Sequence, residues 1–314
     1  MQIWRGIEEI QNISGIERGT SIAIGSFDGL HIGHRQILQA MTGHAALSGH
    51  IGLAITFEPH PLSILRPDAS VNLLTTLEQK LSLMQQFGIP HCLILPFDPQ
   101  LARLPASEFL HDFLIRKLNM RHIFVGYNFT FGHRGTGTAE FLRQRETDLG
   151  FSTHVFAAIQ CNGEPISSTR IREAVATGKL EKAAIYLGRP YTVAGKVVHG
   201  RALGRTIGFP TANIQLQDKL VLPPNGVYAV AVQNSGQQYG GVANLGLRPT
   251  VDGRTQSLEV HLFEFEGDLY GNEIEVAFLH YIRPEQTFAD LEGLRRQIEQ
   301  DSATARSFVT HIGL

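Results

Sequence analysis

Cysteine is almost missing from this chain: 314 residues contain only Cys92 and Cys161. Two isolated thiols make neither a metal-type Cys pair nor a disulfide framework, so the expected compartment is a reducing one. Charge is scarce as well. Only 18% of residues are Asp, Glu, Lys or Arg, and the formal net charge of −2 excludes the strongly basic surface of a nucleic-acid binder. No apolar run approaches the roughly 18 residues that a membrane span needs. Met1–Glu9 holds two early acids and no apolar core, which is not the pattern of a signal peptide. No internal repeat, low-complexity linker or Gly-x4-Gly-Lys-[Ser/Thr] loop occurs. These absences lead to the expectation of a soluble, cytoplasmic protein that engages neither nucleic acid nor membrane.

What is present is an ordinary globular composition, 43% apolar, with length enough for two domains. Thirty-two glycines suggest tight turns and close backbone approaches. Through about residue 187, apolar strand candidates (Ser21–Ile24, Ile51–Phe57, Cys92–Leu95, His122–Gly126, Thr153–Phe156) alternate with helical patterns near Gln36–Ala46, Leu77–Phe87, Ala106–Asn119 and Thr138–Leu149. That rhythm predicts βαβ units in a parallel, doubly wound, Rossmann-like sheet, whose ligands bind beyond the strands' carboxyl ends. From Tyr191 the pattern changes to strands punctuated by turns: Thr192–His199, Val227–Gln233, Gln238–Leu245, Gln256–Phe265 and Glu273–Ile282. A small β-barrel is expected there. A closing helix over Phe288–Glu299 would turn Phe288, Leu291, Leu294 and Ile298 toward it. The expected division is 1–187 and 188–314, with the boundary near Leu187–Pro190.

The stretch Gly25-Ser26-Phe27-Asp28-Gly29-Leu30-His31-Ile32-Gly33-His34 follows the first strand candidate and opens a helix. Its two histidines, three apart, share one helix face, and a helix N-terminus attracts phosphate. Taken alone, such a pair is more often surface or packing than ligand binding, and zinc would want more ligands. A second cluster, Ile166-Ser167-Ser168-Thr169-Arg170-Ile171-Arg172, sets hydroxyls and guanidiniums just before another helix. It reads as an ordinary N-cap or as a phosphate site.

In the second half, His199–Arg205 is a glycine- and arginine-bearing loop, and Pro210-Thr211-Ala212-Asn213 follows it. In extended backbone Thr211 and Asn213 point the same way. Two neutral oxygens there suit Mg²⁺ whose other ligands come from ATP phosphates, or else simply a strand-end turn. In Ser257–Phe263 the alternation leaves Glu259 and His261 opposite Leu258, Val260 and Leu262. An acid so placed is either solvated or chemical.

Taken together, the motifs resemble a known family. Gly25–His34, Thr56–Pro61, Val125–Gly132 and Ile166–Arg172 resemble, in order, the FAD synthetase module of the bacterial bifunctional riboflavin kinase/FAD synthetases, within the nucleotidylyltransferase superfamily. The His-x-Gly-His element also occurs in class I aminoacyl-tRNA synthetases, but their lysine-rich second motif is absent here. The glycine-arginine loop, Pro-Thr-Ala-Asn, Glu259, Gly241–Thr250, Asp268–Gly271 and Ile282–Glu285 resemble the riboflavin kinase module. The resemblance spans about Gly19 to Asp301. It implies phosphorylation of riboflavin by ATP to FMN, then adenylylation of FMN by ATP to FAD with release of pyrophosphate.

By that resemblance, Gly25, Ser26, Phe27 and Asp28 line the nucleotide, and His31 and His34 bind its phosphates. Ser167, Thr169 and Arg170 hold the departing phosphates, and Asn128 stands where many relatives have Asp. Gly204 and Arg205 contact the kinase ATP, Leu203 replacing another basic residue. Thr211 and Asn213 ligate Mg²⁺, and Glu259 is the general base. Phe129, Phe131, Tyr127 and Phe209 are candidates to stack on the isoalloxazine ring, and His60 is a further candidate or a turn cap. Implied partners are riboflavin, FMN and ATP, with apo-flavoproteins as FAD acceptors. The alternative is a kinase whose first domain is inactive or acts on another substrate.

Overall fold

The computed structural model describes residues 1–66, 72–200, 208–217, 219–250 and 253–311. Its contacts divide the chain into two compact units, Met1–Val71 with Leu77–Ser167, and Asn72–Thr76 with Ser168–Leu314.

The first unit is built on a six-stranded parallel sheet. Its strands are β1 (Gln2–Arg5), β2 (Thr20–Ile24), β3 (Ile51–Glu58), β4 (His91–Pro96), β5 (Met120–Gly126) and β6 (Ser152–Phe156). They lie in the order β1-β4-β3-β2-β5-β6. Strands β3 and β4 are added on one side of β2, β5 and β6 on the other. The direction of winding therefore reverses at β2, where a doubly wound sheet opens its ligand crevice. Sequence alternation sends strand residues into two cores. Ala23, Ala54, Cys92 and Phe124 meet Ile37, Leu38 and Met41 of α1 (Ile32–Ser48) and Leu81 and Met84 of α2 (Leu77–Gln86). Ile22, Ile24, Leu53, Ile55, Ile123 and Val125 meet Phe109, Leu110, Phe113 and Leu114 on the other face. Each fully buried Leu or Ile contributes about 1.5–3 kcal/mol, which fixes the faces and so the direction in which each loop leaves the sheet.

Several boundaries differ from expectation. The edge strand β1 was not expected; it is too short for alternation to announce itself. The segment expected as one helix over Thr138–Leu149 breaks into Ala139–Arg143 and Glu146–Leu149, and Ala106–Glu108 runs on as a π-helix over Phe109–Lys117.

The second unit holds α3 (Ser168–Ala176), α4 (Leu180–Leu187) and a closed six-stranded barrel. The barrel strands are β7 (Tyr191–Val198), β8 (Ala212–Leu216), β9 (Gly226–Asn234), β10 (Gln237–Thr250), β11 (Gly253–Leu262) and β12 (Glu273–Arg283). They close in the order β7-β8-β11-β10-β9-β12. The last helix, α5, spans Leu291–His311 rather than Phe288–Glu299. Phe288 precedes it, and Leu291 is 59% exposed, so the expected stripe is wrong at its start. The helix instead docks through Ala305 and Val309, buried with Val227, Ala229, Val242 and Phe263.

Candidate functional sites

In the first unit, Gly25–His34 leaves the carboxyl end of β2 and turns sharply into α1. Phe27, Gly29 and Leu30 all have positive φ (49°, 77°, 41°). Only the glycine adopts that region without strain; the other two are held by complete burial of their side chains. His31 is the N-cap of α1, its Nδ1 accepting the backbone N–H of His34 at 3.3 Å. A neutral ring that accepts at Nδ1 carries its proton on Nε2, which is then a donor. The two imidazoles stack with centroids 3.6 Å apart, and Phe27 meets His34 edge-on. A Cβ on residue 33 would come within 3.1 Å of the His31 ring, so Gly33 makes room for this stack. His34 Nδ1 is buried and has no hydrogen-bond partner among the described residues. Burial, then His31, then Lys80 hold its pKa well below the usual histidine value.

Beneath this turn lies a lysine that the motif reading did not single out. Lys80 is 4% exposed, and its Nζ donates to Thr56 Oγ1 at 3.3 Å. Thr56 in turn donates to the Ser26 carbonyl at 3.2 Å. Burial lowers the Lys80 pKa, while Asp28, Glu58 and Cys92 act against that shift. Asp28 is itself buried beneath the turn at 2% exposure. The signal was available in the sequence: Lys80 stands beside Leu77, Leu81 and Met84 on the apolar stripe of α2, where a charge needs a reason.

Asn128 follows β5 and is exposed, its Oδ1 near Gly126. Phe129 and Phe131 line a cavity of about 210 Å³ with Phe57, Phe97 and Phe109. Tyr127 is half exposed and does not line it. His60 caps the short helix Pro61–Leu65, its Nδ1 accepting Leu62 N–H at 3.2 Å. Ser167 ends the first unit, whereas Thr169 and Arg170 lie in the first turn of α3 in the second. Arg172 of that helix donates to the Asn72 carbonyl at 2.9 Å.

In the barrel, strand register does what sequence proximity cannot. Asn213 of β8 pairs with Glu259 of β11, and Glu259 pairs with Asn244 of β10. Residues directly opposite in register share a face, so one row runs Asn213–Glu259–Asn244. Leu258 and Val260 are fully buried on the other face. Asn213 is 7% exposed, and its Oδ1 is buried without a partner among the described residues. A Cβ at residue 200 would lie 2.1 Å from its amide, so Gly200 covers this side chain as closely as backbone can. Thr211 precedes β8.

Thr211, Phe209, Asn244, Glu259 and His261 line a cavity of about 390 Å³, closed on another side by Phe288, Leu294 and Ile298. Two further groups there were not anticipated by role. Arg283 makes a forked ion pair with the buried Asp301 of α5 (2.7–3.0 Å), and Asn244 Nδ2 reaches Glu285 Oε1 at 3.5 Å. His261 Nδ1 faces the Pro210 carbonyl at 2.8 Å, and Phe209 sits edge-on to its ring. Leu203, Gly204 and Arg205 lie outside the described residues.

Comparison with known proteins follows the same two-part division. The FAD synthetase family profile matches residues 13–170, and the riboflavin kinase profile matches 187–309. The bifunctional riboflavin kinase/FMN adenylyltransferase of Escherichia coli K12 is 40% identical over 312 residues, 98% of each chain. That of Pseudomonas fluorescens is 38% identical, covering 98% of this chain and 97% of the relative. The Bacillus subtilis protein of the same name is 35% identical over 93% of both. A crystal structure described as a macrolide-efflux protein from Streptococcus pneumoniae superposes with a TM-score of 0.86 at 30% identity, over 98% of this chain and 99% of that one. Efflux is said of that protein; among the described residues here, no helix is long and apolar enough to cross a membrane.

Proposed function

Because this chain belongs to the bifunctional riboflavin kinase/FMN adenylyltransferase family, we propose how its residues divide the two reactions between them. The protein converts riboflavin and ATP to FMN, and FMN and a second ATP to FAD and pyrophosphate. We assign adenylyl transfer to residues 1–187 and phosphorylation to 188–314.

The observation that carries the kinase assignment is the register row Asn213–Glu259–Asn244, of which Glu259 and Asn244 line the 390 Å³ cavity. The apolar wall of Phe209, Phe288, Leu294 and Ile298 suits the isoalloxazine ring and leaves the ribityl chain to run toward Glu259. Glu259 then accepts the 5′-hydroxyl proton as that oxygen attacks the γ-phosphorus and ADP departs. A carboxylate is a far weaker base than an alkoxide, so the proton moves late in the step. Asn213 and Thr211 fit a Mg²⁺ that arrives with ATP. A buried, unpartnered amide oxygen is costly unless something binds it, and neutral oxygens beside nucleotide phosphates are what this ion takes. When bound, Mg²⁺ neutralises charge on the transferred phosphoryl group. Gly204 and Arg205 complete the ATP site in this reading.

Adenylyl transfer needs no protein nucleophile. An FMN phosphate oxygen attacks the α-phosphorus of ATP, the bond to the bridging oxygen breaks, and pyrophosphate leaves. The chain must orient the two phosphates and stabilise charge as it develops on the leaving group. His31, with its proton on Nε2, is assigned to donate to a phosphate oxygen. His34, whose pKa is held down by burial, His31 and Lys80, is assigned to the same phosphates. Gly25, Ser26 and Phe27 line the nucleotide, Asp28 with Lys80 braces the turn, and Asn128 supplies an uncharged oxygen. Ser167, Thr169 and Arg170 are assigned to the departing phosphates on their motif, two hydroxyls and a guanidinium at the start of a helix. The aromatic cavity at Phe129 and Phe131 suits the flavin of FMN. The product FAD has apo-flavoproteins as acceptors, and the protein works in the cytoplasm.

The test is direct. Purified protein is incubated with riboflavin, ATP and Mg²⁺, and the flavins are separated over time. FMN is expected first and FAD afterwards. Unchanged riboflavin would overturn the reading, and FMN without FAD would favour a first domain that is inactive or acts on another substrate.

A further inference from the structure

Four histidines converge at the other end of the parallel sheet, where neither proposed reaction uses them. His44 lies in the last turns of α1, ten positions and so about 15 Å along the axis from His34. His50 precedes β3, His122 sits near the start of β5, and His154 lies on β6. A ring nitrogen from each of His44, His50 and His122 lies within 4.8 Å of the others, and all three rings are half-buried. We propose that His44, His50 and His122 form a binding site for one divalent transition-metal ion, Zn²⁺ by the character of its donors.

The hydrogen bonds favour ligation. Histidines that bind metal have the second ring nitrogen held by another group, which fixes the ring and aims the free nitrogen. Here Ser21 Oγ on β2 lies 3.2 Å from His44 Nδ1 and 3.4 Å from His50 Nδ1. His122 Nδ1 lies 3.2 Å from His154 Nε2, and the His154 ring is stacked on Phe124 at 4.4 Å. Each Nδ1 thus has a partner within 3.4 Å that holds its ring in place. Water completes a tetrahedral set. Zn–N bonds of about 2.0–2.1 Å place ligand nitrogens about 3.3 Å apart, so closure asks for ring shifts of about an ångström.

An all-imidazole donor set selects borderline ions such as Zn²⁺, Co²⁺, Ni²⁺ or Cu²⁺ and gives nothing to the hard, oxygen-seeking Mg²⁺.

The experiment uses the full chain without a polyhistidine tag, stripped by chelator and titrated with Co²⁺. One equivalent should bind, give the visible absorption of a four-coordinate ion, and be displaced by Zn²⁺ but not by excess Mg²⁺. His122→Gln and His44→Gln should each weaken binding at least about 100-fold, and Ser21→Ala or His154→Gln about 10–100-fold. The double variant His31→Ala/His34→Ala should bind as the parent does, which separates this site from the other histidine pair. Thermal melts monitor folding; if either ligand variant fails to fold, the other carries the test. Parent protein that shows no one-equivalent band, or folded variants at His44 or His122 that bind as tightly as the parent, would overturn the proposal.

Discussion

The two proposed nucleotide sites are built in opposite ways. The first is mostly one continuous stretch: ten residues from Gly25 to His34 carry the turn, the helix N-cap and both histidines. The second is assembled from β8, β10 and β11, where Asn213, Asn244 and Glu259 become neighbours only through strand register. A contiguous site depends on local backbone geometry. A register site depends on the whole barrel closing correctly, because a one-residue slip would send Glu259 to the opposite face. The first should therefore be most sensitive to residues that brace its turn, and the second to residues that pin its strands and helix.

The largest effect expected is that of Glu259→Gln. Removing the proposed base should lower riboflavin phosphorylation by about 10²–10⁴, measured as FMN formed, while supplied FMN is still converted to FAD. Next is His31→Ala, which removes both the N-cap and an Nε2 donor. Adenylyl transfer should fall by about 10²–10³, the scale for one lost transition-state donor, with FMN accumulating from riboflavin. Loss of both activities in either folded variant would erase the contrast between the sites.

Two smaller effects would sharpen it. Lys80→Met deprives Thr56 of its donor and removes a buried cation that Asp28 acts on. Chemical denaturation should show a loss of about 1–3 kcal/mol, with adenylyl transfer impaired and riboflavin phosphorylation kept. The smallest effect concerns His34. Its pKa is depressed in the folded state, so the unfolded chain binds a proton there that the folded one does not. This contribution to stability is full above the ordinary value of about 6.5 and is lost as pH falls toward the folded pKa. Bound ATP brings negative charge and should raise the His34 pKa, which an NMR titration of the ring reads directly. A His34 that titrates at its ordinary value in both states would contradict the neutral stacked pair.

The same contrast explains what could be read before the fold was known. The parallel sheet, the barrel and the Gly25–His34 turn announce themselves because strand alternation, helical spacing and turn glycines are local signals. Thr211, Asn213 and Glu259 were identifiable as residues, but their meeting was not, since register between strands separated by more than 40 positions has no local signature. Asn244 lies across a single hairpin from Glu259 and was read only as part of Gly241–Thr250, without a role of its own. Lys80 left a legible trace as a charge on an apolar stripe, whereas its partners Thr56, Asp28 and Glu58 come from elsewhere in the chain. The last helix was misplaced because Leu291, apolar and in phase with Leu294 and Ile298, turns out 59% exposed at the helix start. The four-histidine cluster draws on α1, the turn before β3, β5 and β6, and its members have nothing in common until the sheet brings them together.

The division of labour between the two sites is tested most directly by complementation. His31→Ala and Glu259→Gln are each incubated alone, and then together, with riboflavin, ATP and Mg²⁺, and the flavins are resolved chromatographically. Alone, Glu259→Gln should leave riboflavin unchanged, and His31→Ala should accumulate FMN beyond its own concentration. Mixed, they should form FAD, because one supplies the FMN that the other adenylylates. A mixture of folded variants that stops at FMN would contradict the assignment of the two reactions to these two sites.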